Sequence, residues 1–151
     1  MRWGKTNMIC RATTADTKAV AELAIQMWKS HEIEELAEEF AEMIAGPEAA
    51  IFFAQEAGEA IAFAQCQLRH DYVEGTESSP VGYLEGIFVS EKYRRQGYAR
   101  KLVAACETWA KEQGCSEFAS DCELTNTMSL EFHKRMGFLE ANRIICFTKQ
   151  L

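Results

Sequence analysis

Residues 81–114 hold the feature that most constrains this chain: VGYLEGIFVS, an apolar β-type run, passes through EKYRRQG into YARKLVAACETWAKEQG. Ala99, Leu102, Val103, Cys106 and Ala110 recur at i, i+3, i+4, i+7 and i+11, one face of an α-helix. Gly114 supplies the stop. A strand followed at once by an amphipathic helix calls for another layer against which both bury their apolar faces, so the unit points to α/β architecture.

The remaining segments agree with that class. ICRAT reads as a short strand and TADTKAVAELAIQMW as a helix capped by Thr14 or Asp16, with Val20, Leu23, Ala24 and Met27 at helical spacing. From Ser30, SHEIEELAEEFAEMIAG places Ile33, Leu36, Phe40 and Ile44 on one face and ends at Gly46-Pro47. AAIFFAQEA and EAIAFAQCQLRHD flank Gly58 as a hairpin, and YVEGTESSP is a polar loop. CSEFASDCEL predicts a strand, TNTMSLEFHKRMG a short helix, and FLEANRIICFTKQL a closing strand. The expected order is β-α-α-β-β-β-α-β-α-β, a mixed α/β sheet in one domain over 8–151, with MRWGKTN (1–7) as an N-terminal extension.

Charge narrows the partners. A net charge of -7 argues against nucleic acid and anionic membranes, which call for a broad basic face, and is compatible with a cationic partner. No apolar run approaches the ~20 residues that span a bilayer, and MRWGKTN lacks the apolar core of a signal peptide, so a cytoplasmic location is expected. The six cysteines form no CxxC pair, which favours reduced packing thiols over metal or disulfides.

Against that acidic background the cluster YRRQGYARKL stands out. A helix N-terminus presents unpaired N–H groups and partial positive charge, and a glycine there permits close backbone approach. Arg94, Arg95 and Gly97 together suit a docked anion such as a phosphate. The pattern is neither GxxxxGK[ST] nor GxGxxG. Alone, it also fits a solvated helix start.

Strand–RRQGYA–helix resembles motif A of the GCN5-related N-acetyltransferases (GNAT), and NTMSLEFHKRMGF resembles their second signature. WKSH, RHDYVEG, SSPVGYLEGIFV, GCSEFASD and GF followed by NRI are similar to bacterial aminoglycoside 6'-N-acetyltransferases of type I, over nearly the whole chain from Met8. The resemblance implies a mostly antiparallel sheet flanked by helices, with acetyl-CoA as cosubstrate and no metal. It implies acetylation of an aminoglycoside 6'-amine by direct transfer, hence antibiotic resistance, and a homodimer with C-terminal strands at or near the interface. A polyamine or peptide amine acceptor, or a non-catalytic CoA-binding sensor, are the alternatives.

The residues sort into roles on the same footing. An ammonium must lose a proton before it attacks a thioester, and a carboxylate can accept it. Glu85 lies in LEGIF and Asp121 in FASDCEL, and both match acids lining the amine site of the resembled enzymes. Each is assigned to ammonium binding and either to the base role, with Asp121 better supported by the match; a solvated strand face is the other reading of each. Trp28 and Tyr72 are expected against the substrate, whereas Asp71, Glu74 and Glu77 read equally as a solvated loop. The backbone of Ile87, Phe88 and Val89 would pair with the pantetheine arm, and one of its amides would polarise the thioester carbonyl. Arg95, Gln96, Gly97, Tyr98, Ala99 and Arg100 would wrap the diphosphate, and Asn126 would contact the cofactor arm. Seven residues after that asparagine many GNAT relatives carry a tyrosine that protonates the leaving thiolate; here the position is His133. His31 and His70 read as hydrogen-bonding residues as readily as catalysts. Cys122 has no nucleophile–base set around it, which argues against an acetyl-cysteine intermediate.

Overall fold

The computed structural model describes residues 8–151; the extension expected at 1–7 lies outside the described residues. The elements in chain order are β1 (Met8–Arg11), a 3₁₀ turn (Thr14–Asp16), α1 (Thr17–Ala24), α2 (Ile33–Ala45), β2 (Ala49–Glu56), β3 (Glu59–Arg69) and β4 (Val81–Val89). A second 3₁₀ turn (Glu91–Tyr93), α3 (Tyr98–Glu112), β5 (Phe118–Ser120) and α4 (Thr127–Arg135) follow. The strands form one sheet in the order β1-β2-β3-β4-β5, antiparallel throughout except for the parallel β4–β5 pair that α3 connects.

Both faces of the sheet are covered, which explains why β2 and β3 read as continuous apolar runs. Successive side chains alternate between faces. Ala50 and Ala54 of β2 and Ala62, Ala64 and Cys66 of β3 pack with Leu102, Val103, Cys106 and Trp109 of α3. Ile51, Phe53 and Phe63 pack with Val20 and Leu23 of α1 and Leu36 and Phe40 of α2. Small residues under α3 let that helix lie close on the strands, and the phenylalanines fill the wider gap beneath α1 and α2. Leu102 is completely buried, which stabilises the fold by about 2 kcal/mol.

Several boundaries differ from the expectation. The first helix begins with a 3₁₀ turn capped by Thr13, not Thr14 or Asp16: Thr13 Oγ1 accepts from Ala15 N–H at 3.3 Å and Asp16 Oδ2 accepts from Thr13 N–H at 2.8 Å. Helix α1 stops at Ala24, so Trp28 stands on the following turn rather than on a helix. The strand expected over CSEFASDCEL shrinks to Phe118–Ser120, leaving Asp121 just beyond it.

The largest departure is the closing strand. After Phe138 the chain forms no ladder among the described residues, and Leu139, Ile144, Ile145, Phe147 and Leu151 are exposed. This arm instead crosses the loop between β3 and β4: Asn142 Nδ2 donates to Glu74 Oε1 at 3.2 Å, and a Cβ on Gly75 would meet Ala141 Cβ at 2.5 Å. Its alternation of apolar residues is strand-like, but the crossing takes it away from pairing with its own sheet.

Candidate active site

The site grows from an irregularity in β4. Gln65 pairs with Gly86 and Cys66 with Leu84, so Glu85 has no counterpart on β3 and forms a β-bulge. An extra residue of this kind bends a strand and re-aims its side chain. On the other edge, β4 pairs with β5 only through Gly82–Phe118, Tyr83–Ala119 and Leu84–Ser120. Past that last rung the two strands fork. Glu85 and Asp121 are the first residues beyond it, one on each prong.

Each acid is held by a partner from elsewhere in the chain. Arg69, at the end of β3, donates from Nε and Nη2 to the two oxygens of Glu85 at 3.0 and 2.8 Å. Its guanidinium also lies 3.5 Å from the centroid of the Tyr83 ring. The Tyr83 hydroxyl donates to Asp121 Oδ2. Burial, and after it the hydrogen bond to Asp121, pushes the Tyr83 phenol well above its ordinary value, so it stays protonated and donating. Hydrogen bonding to Glu85 likewise raises Arg69, which holds its charge. Among the described residues, Asp121 Oδ1 has no hydrogen-bond partner, and Asp121 is exposed where Glu85 is half-buried.

Trp28 supplies an apolar wall beside Glu85. A Cβ on Gly86 would meet Trp28 Cζ2 at 2.7 Å and Cη2 at 2.9 Å, so the indole lies against bare backbone. It also meets Phe63 edge-on at 6.1 Å. Trp28, His31, Glu39, Gln65 and Glu85 line a cleft of about 220 Å³. Tyr72 and Asp121 do not line it. Tyr72 is 76% exposed on the β3–β4 loop, with its hydroxyl donating to Glu74 at 3.1 Å and accepting from Gly75 N–H at 3.3 Å.

The cationic turn has the geometry of an anion cradle. Arg95 and Gly97 both have left-handed backbone, with φ of 63° and 88°, on either side of Gln96. The N–H groups of Arg95, Gln96 and Gly97 make no backbone hydrogen bond among the described residues. Alternating backbone handedness of this type gathers amides around an anion. For arginine the left-handed state costs roughly 1 kcal/mol, which the sequence pattern does not reveal. Gln96 Nε2 donates to Lys92 O at 3.2 Å and fixes the turn. Arg100 is exposed on the first turn of α3 with Ala99 half-buried beside it, so a diphosphate would meet amides and cations together.

Three side chains stand otherwise than expected. Tyr98 is 3% exposed and belongs to the core under α3, its hydroxyl donating to Glu56, so only its backbone is placed toward the turn. Arg94 turns back along β4, where its Nε donates to Val89 O at 2.7 Å. Asn126 caps α4, with Oδ1 accepting from Ser129 N–H at 3.1 Å. Ile87, Phe88 and Val89 pair with Ala64, Phe63 and Ala62 on β3, while their other edge has no β5 partner. That open edge leads from the fork back to the cradle, an arrangement that suits an extended, amide-bearing arm.

Sequence reasoning missed Arg69 and Tyr83. Arg69 closes β3 immediately before the RHDYVEG loop, and Tyr83 sits two residues before Glu85 on the same strand face. That second spacing is a signal the sequence does carry.

Comparison with known proteins agrees with this geometry. The Acetyltransferase (GNAT) family model matches residues 17–138. An aminoglycoside N(6')-acetyltransferase type 1 from Serratia marcescens is 44% identical over 130 residues, covering 85% of this chain and 89% of the relative. Another from Stenotrophomonas maltophilia is 40% identical, covering 95% and 93%. Among solved structures, aminoglycoside N-acetyltransferase AAC(6')-Iy in complex with CoA superposes with a TM-score of 0.92 at 37% identity, covering 95% of each chain. The same enzyme with the bisubstrate analogue CoA-S-monomethyl-acetylneamine gives 0.91 at 37% identity, covering 95% and 98%. The chain therefore belongs to the GNAT acetyltransferase family and, within it, to the aminoglycoside 6'-N-acetyltransferases of type 1.

Proposed function

We propose that this protein transfers the acetyl group of acetyl-CoA directly to the 6'-amine of an aminoglycoside antibiotic and thereby confers resistance. The observation that carries this reading is the fork: two acids stand first past the last β4–β5 rung, one on each prong, and the open edge of β4 leads to an anion cradle. Acetyl-CoA supplies an acyl group activated as a thioester. The chain binds, orients and deprotonates around it. The amides of residues 95–97 and the charges of Arg95 and Arg100 hold the diphosphate. The free edge of Ile87, Phe88 and Val89 aligns the pantetheine arm, and an amide there donates to the thioester carbonyl oxygen.

Asp121 is the base in this scheme. Both oxygens of Glu85 already accept N–H groups from Arg69, whereas Asp121 keeps Oδ1 for the acceptor. It takes a proton from the 6'-ammonium, directly or through a water, and frees the lone pair that attacks the thioester carbon. As the C–N bond forms the C–S bond breaks, CoA leaves as the thiolate, and the second proton of the nitrogen passes to solvent. Glu85 contributes charge at the cleft mouth, and Trp28 and Tyr72 contribute apolar and hydroxyl contacts to the sugar rings. Dependence on acetyl-CoA supply implies a cytoplasmic location.

Free-thiol release from acetyl-CoA, measured against an amine panel, tests the reaction. Turnover is expected with a 6'-amino aminoglycoside and none with the partner carrying a 6'-hydroxyl. Turnover on polyamines or basic peptides alone refutes the acceptor, and binding of acetyl-CoA without thiol release refutes the enzyme.

The exposed arm supports a homodimer. Several large apolar residues left exposed along one arm call for cover, and β5 is at the edge of the sheet. We infer that the arm of a second copy adds along that edge. Phe147→Asp is expected to shift the protein from dimer to monomer in sedimentation equilibrium at micromolar concentration. An unchanged mass for that variant removes the arm from the interface.

A further inference from the structure

We propose that His133 is a positioning residue, not the acid that protonates the leaving thiolate: with Ser120 it clasps the last β4–β5 rung and so sets where Glu85 and Asp121 stand.

The clasp is a short chain of hydrogen bonds from α4 to β4. His133 Nδ1 lies 2.7 Å from the backbone oxygen of Ser129, an acceptor only, so Nδ1 carries the ring proton and donates. Nε2 lies 2.8 Å from Ser120 Oγ, and Ser120 Oγ in turn lies 3.1 Å from Leu84 O. Ser120 Oγ thus links α4 to β4: it donates to Leu84 O and meets His133 Nε2. Both nitrogens of the ring are engaged by the fold itself, Nδ1 by Ser129 and Nε2 by Ser120, so neither is left to face a leaving group.

Location explains why such a clasp matters. Leu84 and Ser120 face each other on the final rung, and the reacting acids are the next residues on each strand. Without a tie here, the bulge at Glu85 would let the prongs separate at the point where their spacing must be held. Helix α4 has no fully buried residue, so it is a weak support by itself. The His133 ring is wedged edge-on against Phe132 at 5.5 Å and Phe138 at 5.1 Å, which fixes it in place. Misplacing catalytic groups by about 1 Å costs on the order of a hundredfold in rate, so a tie of this kind acts on turnover without touching substrate.

The test is a double-mutant cycle on the full-length protein with a conservative replacement, and it rests on the acetyl-transfer reading; wild-type thiol release is therefore measured first. His133→Ala and Ser120→Ala are each expected to lower kcat roughly tenfold, and the pair by no more than about threefold beyond either, because they break one chain. His133→Gln keeps a neutral hydrogen-bonding head near Nε2 but has no acidic proton. It is expected to hold kcat within about threefold of wild type and to preserve the alkaline limb of the pH–rate profile. If His133→Ala does not fold, His133→Gln and Ser120→Ala still decide the matter. A glutamine variant with at least tenfold loss, or loss of the alkaline limb, would restore the acid role. Multiplicative losses in the double variant would break the link to Ser120.

Discussion

Asp121→Asn is expected to lower kcat for acetyl transfer by about a hundredfold or more, the scale of a lost general base, while acetyl-CoA affinity changes by less than about twofold. The amide keeps a hydrogen bond from Tyr83, so the geometry of the fork survives and only the proton acceptor is lost. Glu85→Gln should behave differently. Its carboxylate balances Arg69 through two hydrogen bonds, and the neutral amide leaves a half-exposed guanidinium beside a cationic substrate. About a tenfold loss in kcat/KM is expected there, carried largely by KM for the aminoglycoside. Steady-state kinetics with each substrate varied, alongside calorimetric binding of acetyl-CoA, separates the two. A larger kcat loss in Glu85→Gln than in Asp121→Asn would exchange the roles of the two acids.

The second large effect is expected at the cradle. Gly97 has φ of 88°, a conformation that a β-branched side chain strongly resists, and its amide is one of three that make no backbone hydrogen bond among the described residues and that the proposed function gives to the diphosphate. Gly97→Val should weaken acetyl-CoA binding at least tenfold, read by calorimetry. The ratio of kcat/KM between two aminoglycosides should stay within about twofold, because the turn is remote in role from the acceptor cleft. Apart from its chain neighbours, no atom of the described residues lies within 4 Å of the added Cβ position, so the loss reports backbone conformation rather than a clash. Unaltered cofactor affinity in this variant would remove the turn from the binding site.

The elements that position the site were readable because their signals are local and periodic. The α3 stripe, the glycine turn and the hairpin about Gly58 each follow from residues within a few positions of one another. The largest lapse of that kind was the arm after Phe138, where a strand-like alternation is present but no ladder forms among the described residues. Exposed Ile145 and Phe147 show why the pattern misled: apolar spacing records that a face wants cover, not which chain provides it. The Tyr98 side chain was hard to place for a related reason. Its place within the cationic cluster suggests a ligand contact, whereas its ring fills the core beneath α3.

By itself the sequence determined the layered α/β class and the glycine turn at the head of α3, since periodicity and short motifs act over a few residues, and the family resemblance singled out the two acids. Only the tertiary structure decided which acid is free. Arg69 reaches Glu85 across 16 positions and Tyr83 reaches Asp121 across 38, and side chains brought together over such separations leave no periodic trace. The same holds for the tie between His133, Ser120 and Leu84, which exists because β4 and β5 run parallel and α4 folds back over their last rung. Strand register and the bulge at Glu85 made that meeting possible, and register is a property of the assembled sheet rather than of any one of its strands.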